Sequence, residues 1–334
     1  MKLNDHFKSF IANISLNPTR EDRINSALSA WEEILKNDDE IKSLFEDFYK
    51  QGSYATSTAI IPIGNNEFDI DTILLLNTED VYDAKGLIDF VYKRLKTKEA
   101  YKDKLIKKDR CIRVNYTGDF HMDIVPAKPT DDEHILISSK SKNEWHETNP
   151  AGFTKWFKTK HSENNYKLIN LSKIIKFWRD ENVGKQTAPK SILLTALIGS
   201  YVVSGNSDAE TLVLSLENMV SNLDDILVDD EPYVENPSLE GENLARDWDK
   251  TKYDTLKTQL DKFAKDARLA FDEEDKEKSV EKWQNIFGTK FPSKLSEASN
   301  MYEKASAGVL LVSSNGVLNE STGQKIPEQR FYGR

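Results

Sequence analysis

Two aspartates, Asp69 and Asp71, stand two residues apart within FDIDTILLL, an otherwise apolar run at residues 68–76. The aliphatic content of that run predicts a β-strand, and a strand alternates faces with period two, so both carboxylates point the same way. Two anions side by side repel and call for a cation. With hard carboxylate oxygens and no Cys or His cluster nearby, the pattern favours magnesium, with manganese as the alternative. A second strand-like run, FHMDIVPA at residues 120–127, carries Asp123 ahead of Ile124, Val125 and Pro126. If the two strands pair, Asp123 completes a three-carboxylate site. Two ions held this way suit one reaction class: one lowers the pKa of an attacking hydroxyl, and the other holds a triphosphate and its leaving pyrophosphate in line. Read alone, Asp-x-Asp is equally well explained as a polar stretch of an edge strand.

Gly52-Ser53 changes that balance. Gly52 stands 17 residues before Asp69, where a helical pattern gives way to strand-like runs. A glycine there allows close backbone approach, and exposed N–H groups with the Ser53 hydroxyl can hold terminal phosphates. By itself Gly-Ser marks only a turn. Gly-Ser, then Asp-x-Asp, then a distal strand Asp is a far more specific series.

Around these residues the first half reads as mixed α and β. The N-terminal MKLNDHFKSFIANISL predicts an amphipathic helix, and residues 24–50 carry apolar positions at helical spacing. Residues 58–63 and 68–76 read as strands, 83–97 as a helix, and 110–117 and 120–126 as strands with Gly118-Asp119 as their turn. The second half reads as nearly all helical: 151–160, 165–182, 190–204, 208–227 and 242–287, the last broken near 272–278. Trp156, Trp178, Trp248 and Trp283 are read as core. Tyr54, beside Ser53, is a candidate cleft residue, and Asp229-Asp230-Glu231 is read as a solvated loop. After Pro292 the pattern decays into a Gly-, Ser-, Asn- and Gln-rich tail.

The 334 residues carry a net charge of −10, and basic segments are offset by acidic ones, which argues against constitutive binding of long nucleic acids. No run of about 18 apolar residues predicts a membrane span. Cys111 is the sole cysteine, which excludes a disulfide framework and a cysteine-rich zinc site, and points to the cytoplasm.

QGSYATSTAIIPIGNNEFDID followed by FHMDIVPA resembles the signature of the oligoadenylate-synthase and cGAS branch of the polymerase-β nucleotidyltransferase superfamily. TNPAGFTKWF, NLSKIIKFWRDEN, PKSILLTAL, ENPSLEGENLARDWD and VEKWQNIFGTKF resemble segments of its bacterial cGAS/DncV-like members, the CD-NTases of CBASS anti-phage systems. The resemblance covers nearly all of residues 40–290. It implies an α+β fold: a polymerase-β-like nucleotidyltransferase domain with its N-terminal helices at residues 1–147, a mainly helical domain at 148–292, and a C-terminal extension at 293–334. The active site lies in the cleft between the first two.

Carried over residue by residue, the resemblance makes Gly52 and Ser53 the phosphate-binding turn, and Asp69 and Asp71 the pair that holds both magnesium ions. Asp123 becomes the third carboxylate, which helps activate the acceptor hydroxyl. Lys176 matches a helix lysine that reaches the triphosphate, with Lys173 one turn away as a competitor, and Ser191 a polar residue that joins it or simply starts a helix. His121, on the strand face of Asp123, is expected beside the site or facing solvent. The implied activity joins NTPs, ATP among them, into a cyclic di- or trinucleotide with release of pyrophosphate, and the product activates an effector protein. The alternatives are a linear oligonucleotide, transfer to a small molecule or protein, or a catalytically dead scaffold, which the three intact carboxylates disfavour. Animal cGAS carries a Cys/His zinc insertion that this chain lacks. The terminal Arg330-Phe331-Tyr332-Gly333-Arg334 reads as a recognition peptide for a conjugating or non-covalent partner.

Overall fold

The computed structural model describes residues 2–62, 67–78, 81–116 and 120–295, with short strand segments at 311–312, 318–319 and 324–325. Helix α1 (Asn4–Ile14) is followed by α2 (Pro18–Lys36), which starts at Pro18 with the Asn17 side chain accepting from the Arg20 backbone N–H. The chain turns after α2 at Asp38, whose buried carboxylate accepts from the N–H groups of Glu40 and Ile41 and is gripped by Arg94. Residues 45–50, read from the sequence as continuing a helix, instead form β1 (Phe45–Lys50), antiparallel to β2 (Phe68–Leu76). The spacing of Ile41, Leu44, Phe45 and Phe48 fits a helix, but sheet pairing and the Asp38 turn override it. Residues 58–62 are likewise not a strand: Ile61 N–H donates to Ile14 O, and Ile60 forms one isolated bridge with Ser15.

Helix α3 (Gly52–Ala55) is a single turn between β1 and β2. Then come α4 (Ala84–Lys96), β3 (Leu105–Lys107), β4 (Ile112–Tyr116), β5 (Phe120–Pro129), β6 (Ile135–Ser139) and β7 (Glu144–Thr148). The expected Gly118-Asp119 turn lies outside the described residues. The sheet runs β1-β2-β5-β4-β3, with β6 joined to the far end of β5 and β7 to β6. Strands β2 and β5 are parallel and in the heart of the sheet. One sheet face buries Ile70, Leu74, Met122, Ile124, Ile112 and Val114 against α2 and α4. On the other face Ile73, Val125, Ala127 and Cys111 form a small apolar cluster. Asp69, Asp71 and Asp123 occupy the same face, one or two positions before that cluster, as period-two alternation requires.

The helical half comprises α5 (Pro150–Glu163), α6 (Leu168–Asn182), α7 (Ser191–Tyr201), α8 (Asp208–Asn222), α9 (Lys250–Asp272) and α10 (Lys276–Phe287). Trp178, Trp248 and Trp283 are buried in its core and Trp156 packs against it. A Cβ on Gly199 would stand 2.5 Å from the Trp156 ring, so only glycine lets α7 approach α5 there. Helix α1 packs into this core through Phe7, Phe10 and Ile14, so of the two N-terminal helices only α2 lies on the sheet. Residues 242–249, expected to be helical, are not. A hairpin of β10 (Glu235–Asn236) and β11 (Leu239–Asn243) follows the short pair β8 (Leu227–Val228) and β9 (Glu231–Pro232). Helix α9 begins only where Asp249 caps Lys252 N–H. Asp229 and Asp230 are exposed, with positive φ, in keeping with a solvated loop.

Within the segment read as a tail, 318–319 and 324–325 pair antiparallel with 311–312. Arg330 to Arg334 lie outside the described residues. Among the described residues no helix is long and apolar enough to cross a membrane.

Candidate active site

A cavity of about 580 Å³ separates the sheet from the helical half, in the size range of small-molecule sites. Its sheet wall carries Gly52, Ser53, Thr56, Thr58, Glu67, Phe68, Asp69 and Asp71. The opposite wall carries Asn149, Phe153, Lys176, Arg179, Asp180 and Ser191. Six of the seven residues singled out from the sequence therefore share one cavity; Asp123 does not line it.

Asp123 is nonetheless next door. In the parallel β2–β5 register Asp71 faces Asp123 and Asp69 faces His121; in the antiparallel β4–β5 register Arg113 faces Asp123. Asp123 is covered by Arg113, whose Nε donates to Oδ1 at 2.7 Å and Nη2 to Oδ2 at 2.8 Å. The same Nη2 reaches Asp69 Oδ1 at 2.8 Å. The Thr72 hydroxyl donates to the Asp123 carbonyl, tying the two aspartate strands together from the apolar face. His121 Nε2 lies 2.9 Å from Glu67 Oε2 and is partly buried, beside the carboxylates and not among them.

Asp71 differs from its neighbours. Among the described residues no hydrogen bond or ion pair reaches its carboxylate. Burial, then the charges of Asp123 and Asp69, push its pKa up to about 6 against a weaker opposing pull from Arg113. A desolvated carboxylate crowded by two others, with oxygen donors throughout, has the chemistry of a hard-cation ligand. Among the described residues no three carboxylate, imidazole or thiolate side chains yet converge as metal ligands do. Two of the three aspartates are engaged by Arg113 instead.

The Gly52 turn sits against this group. Gly52 has φ +63°, and a Cβ built on it would stand 2.9 Å from Asp71 Oδ2. Both facts demand glycine. Ser53 lines the cavity beside it. Thr56 Oγ1 contacts the carbonyls of Gly52 and Ser53 and the Thr58 hydroxyl at 2.9 Å, and Thr58 accepts from Lys176 Nζ at 2.7 Å. Two threonines therefore connect the α6 lysine to the glycine turn. Sequence reasoning passed over both, although Thr56-Ser57-Thr58 directly after the turn was the available signal.

Lys176 is nearly fully buried, and burial, with Arg179 nearby, pushes its ammonium down to about 7. Lys173 donates to Ser15 Oγ at 3.0 Å and is not part of the cavity lining, which separates the two candidates. Ser191 is the first residue of α7 and accepts from Arg179 Nη1 at 3.1 Å. Arg179, held by Asp180 and the Pro189 carbonyl, is a second cation in the cavity wall that sequence reasoning did not single out. Tyr54 is not a cleft residue: its hydroxyl donates to Asn25 Oδ1, and its ring packs against the sheet core. Phe68 and Phe153 are the aromatics that line the cavity.

The lysine gives a prediction. Lys176→Met is expected to raise the melting temperature of the nucleotide-free protein, because it removes an ammonium that burial disfavours. The folded pKa lies below the ordinary 10.5, so the cost is full below about pH 7 and fades as pH rises toward 10.5. Calorimetry at pH 6 and pH 10 checks this: the gain should be present at the first and largely absent at the second. The same change should raise KM for NTP about tenfold, as expected for one lost charge-assisted contact. An unchanged KM would remove Lys176 from phosphate binding.

A sheet that carries paired aspartates on one wall of a cleft faces a helical half that supplies cations, an arrangement suited to a hard cation and a phosphate-bearing substrate. Residues 1–161 match the family model described as the Second Messenger Oligonucleotide or Dinucleotide Synthetase domain. The chain is 29% identical over 281 residues to a c-di-GMP synthase of Roseivirga ehrenbergii, covering 74% of this chain and 73% of that one. It is 26% identical over 329 residues to a cyclic AMP-AMP-AMP synthase of an Acinetobacter species, covering 96% and 95%. Among solved structures it is similar to the CD-NTase CdnG of Bradyrhizobium diazoefficiens in complex with GTP. The TM-score is 0.71 at 18% identity, over 86% of this chain and 95% of that one. By its match to this domain and its likeness to these synthases the chain is a nucleotidyltransferase, and its fold is that of the CD-NTase structures.

Proposed function

We propose that this enzyme joins nucleoside triphosphates, ATP among them, into a cyclic di- or trinucleotide and releases pyrophosphate at each bond. One observation carries the reading: the aspartate strand and the Gly52-Ser53 turn face Lys176 and Arg179 across a single cavity of nucleotide size. The names of the two relatives, one for a cyclic dinucleotide and one for a cyclic trinucleotide, support a cyclic product and leave ring size open. A role in anti-phage signalling, through an effector protein that binds the product, follows from the family resemblance.

In this reading Asp69, Asp71 and Asp123 hold magnesium or manganese. The fit rests on the all-oxygen donor set and on the crowded Asp71 carboxylate, which has no partner among the described residues. When bound, the ions supply charge neutralisation of the triphosphate and acidify the attacking hydroxyl. The chain's own residues do the positioning. Ser53 donates its hydroxyl to a terminal phosphate, Lys176 exchanges Thr58 for a phosphate oxygen, and Arg179 adds a second positive charge on the same wall. Phe68 and Phe153 give the bases apolar surface.

Incubation of purified enzyme with magnesium and each combination of α-labelled NTPs, followed by phosphatase, tests the proposal. A small product that loses none of its label to phosphatase is expected, because a ring has no terminal phosphate. A product that gives up part of its label to phosphatase would be linear, because only its 5′-terminal phosphate is exposed. Complete loss would mean that no phosphodiester bond formed, and label retained on protein would make the enzyme a modifying one.

A further inference from the structure

Arg113 has no place in the chemistry described so far, yet it engages two of the three aspartates of the site. It projects from β4, the strand on the far side of β5 from β2, and shares the carboxylate face because it is in register with Asp123. Its guanidinium spans β5. One edge forms a bidentate pair with Asp123, and Nη2 continues to Asp69 on β2. The arginine side chain is 16% exposed and that of Asp123 12%, so this is a pair largely removed from water, whereas Asp69 at 51% is open to the cavity. Asp71, on β2 with Asp69 and opposite Asp123 in the register, receives no such contact among the described residues and remains crowded by both.

We propose that Arg113 is an internal counter-cation that occupies the carboxylates in the metal-free enzyme and competes with divalent metal for Asp69 and Asp123. The inference rests on the reading that these aspartates hold metal.

A guanidinium contact within 3 Å of an Asp69 oxygen takes up a lone-pair direction that a metal ion would use, and brings a positive charge beside the ion. Metal loading therefore exchanges one cation for another: Arg113 gives up Asp69 and part of its hold on Asp123. Two consequences point in opposite directions. Without Arg113, three mutually repelling carboxylates are left uncompensated, and the metal-free fold is weakened. Without Arg113, an incoming metal meets no competitor, and binds more tightly. A purely structural role would give the first effect and the reverse of the second, because a disordered set of ligands binds metal less well. The device would keep apo enzyme closed to weakly held ions and let an ion arriving with a triphosphate, which brings its own negative charge and phosphate ligands, displace the arginine.

Manganese titration followed by the loss of the free-ion electron paramagnetic resonance signal tests this on wild type, Arg113→Met, Arg113→Lys and Asp71→Asn, each without nucleotide. Arg113→Met is expected to lower the Mn2+ Kd about tenfold and to lower the apo melting temperature, with saturating Mn2+ restoring it. Arg113→Lys keeps the charge but loses the fork, so it should tighten binding by a smaller factor, and it preserves the test if the methionine variant does not fold. An unchanged or higher Kd in the arginine variants would overturn the proposal. If neither wild type nor the arginine variants bind Mn2+, or if Asp71→Asn binds as wild type does, the metal-site reading itself falls.

Discussion

Asp71→Asn is expected to reduce product formation below about one per cent of wild type, a barrier increase of at least about 2.7 kcal/mol, while making the metal-free protein more stable. The two effects share one cause. Asp71 is a crowded, desolvated carboxylate, and its charge is raised in energy by lost hydration and by Asp123 and Asp69. That cost is what a metal ion would recover, so neutralising the side chain removes both the liability and the function. The folded pKa, about 6, lies above the ordinary 3.8, so the cost to stability is full above pH 6 and disappears below about 4. At pH 7.5 the gain on substitution should be on the order of 2 kcal/mol, or a few degrees in Tm. Adding Asp69→Asn should keep activity absent, but it also removes a partner of Arg113, so the double variant should gain less stability than Asp71→Asn alone. Turnover above about one per cent in either variant would contradict the assigned role of the pair.

Gly52→Ala is expected to lower kcat/KM about a hundredfold, well beyond its effect on folding. The left-handed backbone at φ +63° costs an alanine about 1–2 kcal/mol, and the added methyl stands 2.9 Å from Asp71 Oδ2. The carboxylate has to move, and displacement of a reacting centre by about 1 Å is enough for a loss of that size. Gly241→Ala is the control. Gly241 also has positive φ, at +78°, but its Cβ would meet nothing within 4 Å. It should lose a similar amount of stability and keep activity within about twofold. Equal activity losses in the two variants would mean that backbone strain alone, and not the contact with Asp71, accounts for the glycine.

The aspartate strand was readable because its signal is local. FDIDTILLL alternates, its two charges interrupt an apolar run, and the period-two rule puts Asp69 and Asp71 on one face without any knowledge of the neighbours. The long helices of the second half were readable for the same reason, through their 3.6-residue period. Arg113 was not, because its importance depends on the register of β4 against β5, and nothing within RCIRVNYT states which residue of FHMDIVPA it will face. Residues 45–50 were misread because their apolar spacing suits a helix, and only pairing with β2 makes them a strand. The membership of α1 was likewise hidden: Phe7 and Phe10 mark a buried face, but they cannot say that the face belongs to the helical core. Thr56 and Thr58 look like ordinary loop residues until Lys176 arrives from α6, more than a hundred positions away.

The ring-forming reaction has a stoichiometry that no open-chain reaction shares. Closing a ring makes as many phosphodiester bonds as there are nucleotides, whereas a linear dimer or trimer makes one fewer. The most direct measurement is therefore the ratio of pyrophosphate released to nucleotide incorporated, taken with purified enzyme, magnesium and the NTPs it accepts, and with no other acceptor present. A ratio of about 1 is the result expected of a cyclic oligonucleotide synthase. A ratio near one half or two thirds would show that the product stays linear, and would contradict the proposed function while leaving the carboxylate site in place.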